Sequence, residues 1–232
     1  MKLERLSVAM VEPRFGLNVG YVARTMKNFG VGRLFIIGRE GMPPSAYRFA
    51  SHGADVIRNA QVLSLDELRQ RFDVVVGTTA IVGGNGRNPA RKTISLNGLT
   101  SVGMDPASTV IVLGRDTTGL TASELRACDL VLHLGTGTSY PTLNISHALA
   151  ILLYGLRSAK PKRIHRVSRL YSDRLLEYFS MALSLGKYPA YKRRLAVRTL
   201  GQAVIRSGLT QEEVVMLIGA FRKLDLALER RF

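Results

Sequence analysis

"TVIVLGRDTTGLTASEL", residues Thr109 to Leu125, carries the two signals on which the fold turns. From Val110 to Leu113 it is continuously apolar, as a strand covered on both faces of a parallel sheet must be; a strand with one wet face would alternate. The run stops at Gly114, and Thr121-Ala-Ser-Glu124 then fits a capping box opening a helix. A buried strand followed closely by a helix start is the βα step of an α/β domain.

The same step recurs on either side. Strand-like runs occupy 6–11, 33–38, 73–78 and 130–135, with a weaker one at 60–64. Between the first two, Val19, Val22, Ala23, Met26 and Phe29 share one face of a helix, and Gly30 stands where a C-cap belongs. Ser64-Leu-Asp-Glu67 is another capping box. The alternation predicts an α/β domain with a mostly parallel sheet over residues 1–157. Beyond it the pattern changes. "SAKPKRIHR" (158–166) reads as a basic linker, and 167–232 as a small all-α domain with helices over 168–185, 189–207 and 210–230.

Charge separates the two parts. The 232 residues hold 33 Lys+Arg against 17 Asp+Glu, a net charge of +16, and the pI is 10.6. Residues 157–232 alone carry 17 basic and 6 acidic side chains, so most of the excess lies in the tail. That is the footprint of a nucleic-acid partner or of a solvated basic surface, and it favours nucleic acid. The longest apolar stretch, Leu143 to Leu156, includes Asn144, Ser146 and His147 and is too short to span a membrane. Glu4 and Arg5 stand where an export signal needs apolar residues, and a lone Cys128 suits a reducing compartment; together these predict a cytoplasmic protein.

Several chemistries drop out. No GxxxxGK[ST] loop and no strand-to-helix GxGxxG is present. His52, His133, His147 and His165 share no ligand spacing with one another or with Cys128, so no metal is expected. Three stretches remain, each a loop running into a helix. "EPRFGLNVGYVARTMKNFG" (12–30) sets Asn18 and Arg24 on the first helix, with Arg24 on its polar face; taken alone, a solvated surface arginine explains it. "VLGRDTTGLTASEL" (112–125) puts Gly114, Asp116 and Gly119 at the carboxyl end of a strand, where α/β proteins bind ligands and where ordinary turn residues also occur. "GTGTSYPTLNISHALAILLYGL" (135–156) opens a strongly apolar helix that Thr142 or Asn144 could cap.

Together these stretches resemble the motifs of the SPOUT-class ribose 2′-O-methyltransferases of the TrmH/SpoU type, and within them the TrmJ-type tRNA enzymes. N-x-G-x-x-x-R is met by Asn18, Gly20 and Arg24. G-x-E-x-x-G-L is met by Gly114, Asp116, Gly119 and Leu120, with aspartate for glutamate. S-L-N is met by Thr142, Leu143 and Asn144, with threonine for serine. Order and spacing agree over roughly 5–157.

The resemblance implies an α/β domain whose C-terminal segment is threaded into a trefoil knot. It implies S-adenosylmethionine as methyl donor, a homodimer, and transfer RNA as substrate, modified on a ribose at position 32 of the anticodon loop. Asn18, Arg24, Asp116, Thr142 and Asn144 become the catalytic candidates, with Arg24 facing the partner's cofactor and Asn18 fixing Arg24 or the ribose. The cofactor would rest on Thr78, Thr79, Ala80, Gly114, Leu134, Tyr140, Pro141, Thr142 and Leu143. For RNA, the candidates are Arg87, Arg91 and Lys92 in a Gly-rich loop and Lys192, Arg193, Arg194 and Arg198 in the tail, with Tyr188 and Tyr191 interleaved. Two alternatives stay open: the same fold acting on ribosomal RNA or a base nitrogen, and an RNA-binding homologue without catalysis.

Overall fold

A computed structural model describes residues 2–38, 42–81, 93–102, 104–159 and 167–229. Its six strands are β1 (Ser7–Val11), β2 (Arg33–Ile37), β3 (Gln61–Leu63), β4 (Val74–Thr79), β5 (Thr109–Leu113) and β6 (Leu130–His133). They form one sheet in the order β3-β2-β1-β5-β4-β6, and every pairing is parallel. All five strong runs and the weak one are strands, the weak one short and at the edge.

The continuous apolar runs have a simple cause. Val8 and Met10 of β1, Val74 and Val76 of β4, and Ile111 and Leu113 of β5 pack on one face with α1 (Gly16–Asn28) and α7 (Ile145–Ser158). Ala9, Val11, Val75, Val110 and Val112 pack on the other with α4 (Leu65–Arg71) and α6 (Ala122–Ala127). Burying such side chains stabilises by roughly 1.5–3 kcal/mol each, and here neither face of the central strands is spared.

Three short helices went unread in the sequence: α2 (Tyr47–Ala50), α3 (Ala54–Arg58) and α5 (Leu96–Ser101). None is long enough for a 3.6-residue period to show. The first of them explains a motif glycine. A Cβ on Gly20 would stand 2.5 Å from Phe49 Cβ and 2.7 Å from the Ala46 carbonyl, so the glycine lets α2 lie directly against α1.

The tail consists of α8 (Arg169–Leu185), α9 (Ala190–Ser207) and α10 (Gln211–Glu229). They close around Val167, Leu175, Val204 and Val214, with Phe179 edge-on to Phe221 at 5.3 Å. Arg169 fastens them to the body. Its Nε donates to Phe72 O at 2.7 Å, its Nη2 to Asp73 O at 3.1 Å, its backbone N–H to Asp73 Oδ1 at 2.7 Å, and its guanidinium pairs with the Asp129 carboxylate. The tail therefore sits at the amino ends of β4 and β6, the opposite end of the sheet from the three motifs. The linker residues 160–166 and the RNA candidates Arg87, Arg91 and Lys92 lie outside the described residues.

Candidate active site at the carboxyl ends of the strands

Strand order reverses between β1 and β5, the crevice position at which open α/β sheets take ligands. The loop after β1 leads into α1 and the loop after β5 carries Asp116, so two of the three motifs meet there by topology. Hydrogen bonds complete the junction. Asn18 Nδ2 donates to Asp116 Oδ1 at 2.6 Å, and Asn144 Nδ2 donates to Asn18 Oδ1 at 3.0 Å. Asn144 Oδ1 accepts from Ser146 N and Ser146 Oγ at 2.9 and 2.7 Å, capping α7. One side-chain chain thus ties residues 18, 116 and 144.

Asp116 has a further task. Its Oδ2 accepts the backbone N–H groups of Arg14 and Phe15 at 3.0 and 3.2 Å. Phe15, the N-cap of α1, offers no side-chain cap of its own, so a carboxylate from another loop serves the helix N-terminus, where negative charge is favoured. Both oxygens of Asp116 are engaged by the protein's own donors.

Gly114 also has a packing role. The sequence left open a ligand or an ordinary turn there, and a Cβ at Gly114 would stand 2.3 Å from Gly119 C and 2.4 Å from Leu120 N. The missing side chain is filled by the loop folding back: Arg115 N donates to Gly119 O and Gly119 N to Arg115 O, with Gly119 at φ +67°. Arg115, not singled out in the sequence, locks this turn. Its guanidinium donates to both Glu124 oxygens at 2.9 Å and to Glu12 Oε2 at 2.8 Å, which raises its own proton affinity. The Arg115 bond holds Glu12 below the usual carboxylate range. Burial pushes Glu124 up, but Arg115 and Thr121 outweigh it and leave the carboxyl lowered. The only sequence trace of this network was Glu124 in its capping box, whose reciprocal bonds are both made.

Arg24 is exposed on the outer face of α1. It lies about 120° around the helix from Asn18 and about 9 Å along it, so within one chain Asn18 does not fix Arg24, contrary to one expectation above. The cofactor candidates gather at three adjacent strand ends. Thr78 and Thr79 end β4, with Ala80 just after; Gly114 follows β5 and Leu134 follows β6. Thr78 Oγ1 donates across to Val112 O at 3.0 Å. From Leu134 to Asn144 the chain has no regular secondary structure, leaving its main-chain groups outside the sheet ladder. Leu134 packs against the core, Tyr140 is 77% exposed, Pro141 and Leu143 are half-buried and Thr142 is exposed. An apolar floor beside main-chain groups that lie outside the sheet ladder fits an adenosyl group. In contrast, Cys128 is buried with its thiol pushed up to about 12 by desolvation, so it is a packing residue. Among the described residues no three His, Cys, Asp or Glu side chains are grouped as a metal would require.

The SpoU rRNA Methylase family model matches residues 5–154, which contain all three motifs and the bonds that join them. The chain belongs to this family. As a SpoU-family member it is an RNA methyltransferase. It is 30% identical over 227 residues to the tRNA (cytidine-2′-O-)-methyltransferase TrmJ of Methanocaldococcus jannaschii, a match spanning 94% of this chain and 98% of that one. The fold of the TrmJ crystal structure from Zymomonas mobilis ZM4 superposes with a TM-score of 0.70 at 20% identity, covering 95% and 99% of the two chains. The SpoU methyltransferase AviRb from Streptomyces viridochromogenes, solved in complex with AdoMet, shares the fold at a TM-score of 0.50 and 21% identity, over 67% of this chain and 60% of that one. The SpoU match ends before the tail, while the M. jannaschii relative is similar over nearly the whole chain, tail included.

Proposed function

We propose that the protein transfers a methyl group from S-adenosylmethionine to a ribose 2′-hydroxyl of transfer RNA, at position 32 of the anticodon loop, as a cytoplasmic homodimer. The observation that carries this reading is the Asp116–Asn18–Asn144 chain, which draws the three motif stretches to one crevice. The M. jannaschii relative, similar from end to end, supports transfer RNA as substrate.

S-adenosylmethionine supplies an activated methyl group on a sulfonium. Leu134 would take the adenine on its apolar side, with main-chain groups of Thr79, Ala80 and Tyr140 to Leu143 binding its polar edge and Gly114 flooring the pocket. That arrangement is supported by the open backbone from Leu134 to Asn144. A threaded segment there is supported by the position of β6, which has Thr79 of β4 on one flank and Ile94 on the other.

Methyl transfer forms a bond to the 2′-oxygen, leaves a neutral thioether and releases the hydroxyl proton. The protein must hold that oxygen in line and stabilise charge developing on it. Arg24, which stays protonated, is assigned to that task and to the adjacent phosphate. Asn18 and Asp116 are positioning residues, since their polar atoms are committed to each other, to Asn144 and to α1. The Thr142 hydroxyl and Asn144 steady the acceptor side of the loop.

The homodimer is supported by large apolar side chains left exposed on both α1 and α7. Leu17, Tyr21, Ile151 and Tyr154 are 40%, 39%, 45% and 68% exposed, and Arg24 continues the Leu17–Tyr21 row one turn on. Burying those side chains against a second copy would bring Arg24 to the subunit interface.

The test is to incubate the protein with labelled S-adenosylmethionine and total tRNA and identify the product nucleosides by mass spectrometry. A 2′-O-methylnucleoside is the expected product. Label that enters only ribosomal RNA, or only a base, would overturn the reading.

A further inference from the structure

At the amino ends of β4 and β6, where the tail docks, the protein encloses a cleft of about 480 Å³. Arg69 of α4, Arg126 of α6, and Arg193, Arg194 and Arg198 of α9 line it. The acidic residues of the cleft are already committed to Arg169. Asp129 pairs with its guanidinium and also accepts Val75 N–H at 2.7 Å, Asp73 accepts its backbone N–H, and Asp173 lies 3.9 Å from its Nη1.

Two of the remaining guanidiniums are turned inward. Arg198 Nη2 donates to Leu125 O at 3.1 Å, but its Nε and Nη1 are buried without an acceptor, as is Nε of Arg69. Buried donors without partners are rare because they forfeit their hydration. A guanidinium cannot escape by losing its proton. Burial works against the Arg198 cation more than anything else and leaves its pKa lowered; Arg126 adds to this, while Cys128 and Asp129 offset part of it. The cleft therefore wants a compact anion with several acceptor oxygens. Phosphate fits, since its oxygens match the planar fork of arginine. Lys192 and Arg194, near the start of α9, are exposed, as are Tyr188 and Tyr191, at 42% and 66%.

We propose that this cleft is a phosphate site built jointly by the tail and the α/β body, and that a backbone phosphate of bound RNA occupies it. Arg69 and Arg126 come from the body and the other three arginines from the tail, so the phosphate would clamp one to the other, at the far end of the sheet from the methylation site. The RNA source rests on the function proposed above; the phosphate chemistry does not.

The experiment uses the full chain and the Arg69→Gln/Arg198→Gln double variant, with Arg126→Gln at the cleft rim as a second variant that leaves the interior untouched. Affinity for total tRNA is measured at several salt concentrations, melting with and without inorganic pyrophosphate, and S-adenosylmethionine affinity as a control. Expected are a loss of tRNA affinity of about tenfold or more in the double variant and a salt slope smaller by about one to two charges. S-adenosylmethionine affinity should not change. Pyrophosphate should raise the melting temperature of the wild type and not of the double variant, and Arg126→Gln should show part of each loss. Stabilisation by pyrophosphate with unchanged tRNA affinity would keep the phosphate site and overturn RNA as its occupant. No response in either arm would overturn the site itself. A wild type that binds no tRNA would refute the proposed substrate, and pyrophosphate would still decide the cleft.

Discussion

Asn18 Nδ2 lies 2.6 Å from Asp116 Oδ1, while Asn18 Oδ1 accepts from Asn144 Nδ2 at 3.0 Å. Residues 98 and 126 positions distant in the chain are thereby held by one amide. The amide can serve both only in this orientation, with its NH2 toward the carboxylate and its oxygen toward Asn144.

Asp116→Asn tests that directionality. An amide at 116 keeps the size and loses one acceptor, so it either sets its NH2 against the Asn18 NH2 or turns it toward the Arg14 and Phe15 N–H groups and gives up the cap on α1. We expect Asp116→Asn to cut methyl transfer strongly, and Asp116→Ala to cost about 1–3 kcal/mol of stability as well, by stripping the cap from α1. Thermal melting and turnover of the two variants check this. Unchanged activity in Asp116→Ala, which has no acceptor for Asn18, would show that the three-residue chain positions nothing.

Arg24→Ala should leave S-adenosylmethionine affinity intact and lower methyl transfer by about 10²-fold or more, the usual loss when one donor to a developing oxyanion is removed. Calorimetry and a single-turnover assay separate the two quantities. Arg24 is exposed and 120° from Asn18 around the helix, so little loss of stability should accompany the change.

The Glu12–Arg115–Glu124 network makes a prediction about acid. Both carboxyls are lowered in the folded protein. A carboxyl with a lowered folded pKa adds stability that is present above its unfolded value, roughly pH 4.5, and is lost as pH falls through the folded value. Arg115→Met should therefore destabilise the protein at neutral pH and flatten the fall in melting temperature below about pH 4.5. Parallel acid limbs in wild type and variant would contradict this.

Arg169→Met should be severe, because it leaves Asp129 buried without its charge partner; breaking such a pair costs roughly 3–5 kcal/mol. Asp129→Asn in the same chain should recover much of the loss. For the same reason, deleting residues 160–232 would expose Asp129 and open the phosphate cleft, so a truncated chain tests folding as much as RNA binding. Exchanging Lys192 and Arg194 for glutamine in the full chain tests tRNA affinity without that complication.

The sheet was legible because its central strands are buried twice over: the apolar runs at 110–113 and 74–76 have no wet face to interrupt them. Capping boxes at Ser64 and Thr121 placed the next helices within a residue. Motif spacing gave Asn18, Asp116 and Asn144 as candidates, but nothing in the spacing said that they bond to one another. Arg115 and Arg169 went unread for a common reason. Each is one arginine in a basic chain until the fold brings it to Glu124 and Glu12, or to Asp129 and Phe72, from distant positions. The loop contact of Gly114 was not legible because a glycine that admits a ligand and one that admits its own loop look alike in sequence.

Alkaline digestion of tRNA labelled by the enzyme separates ribose methylation from base methylation. A methyl group on the ribose blocks the 2′-oxygen from attacking its neighbouring phosphate, so the account predicts label in alkali-resistant dinucleotides, with the resistant bond at position 32. Label released wholly in mononucleotides would place the methyl group on a base and contradict the account.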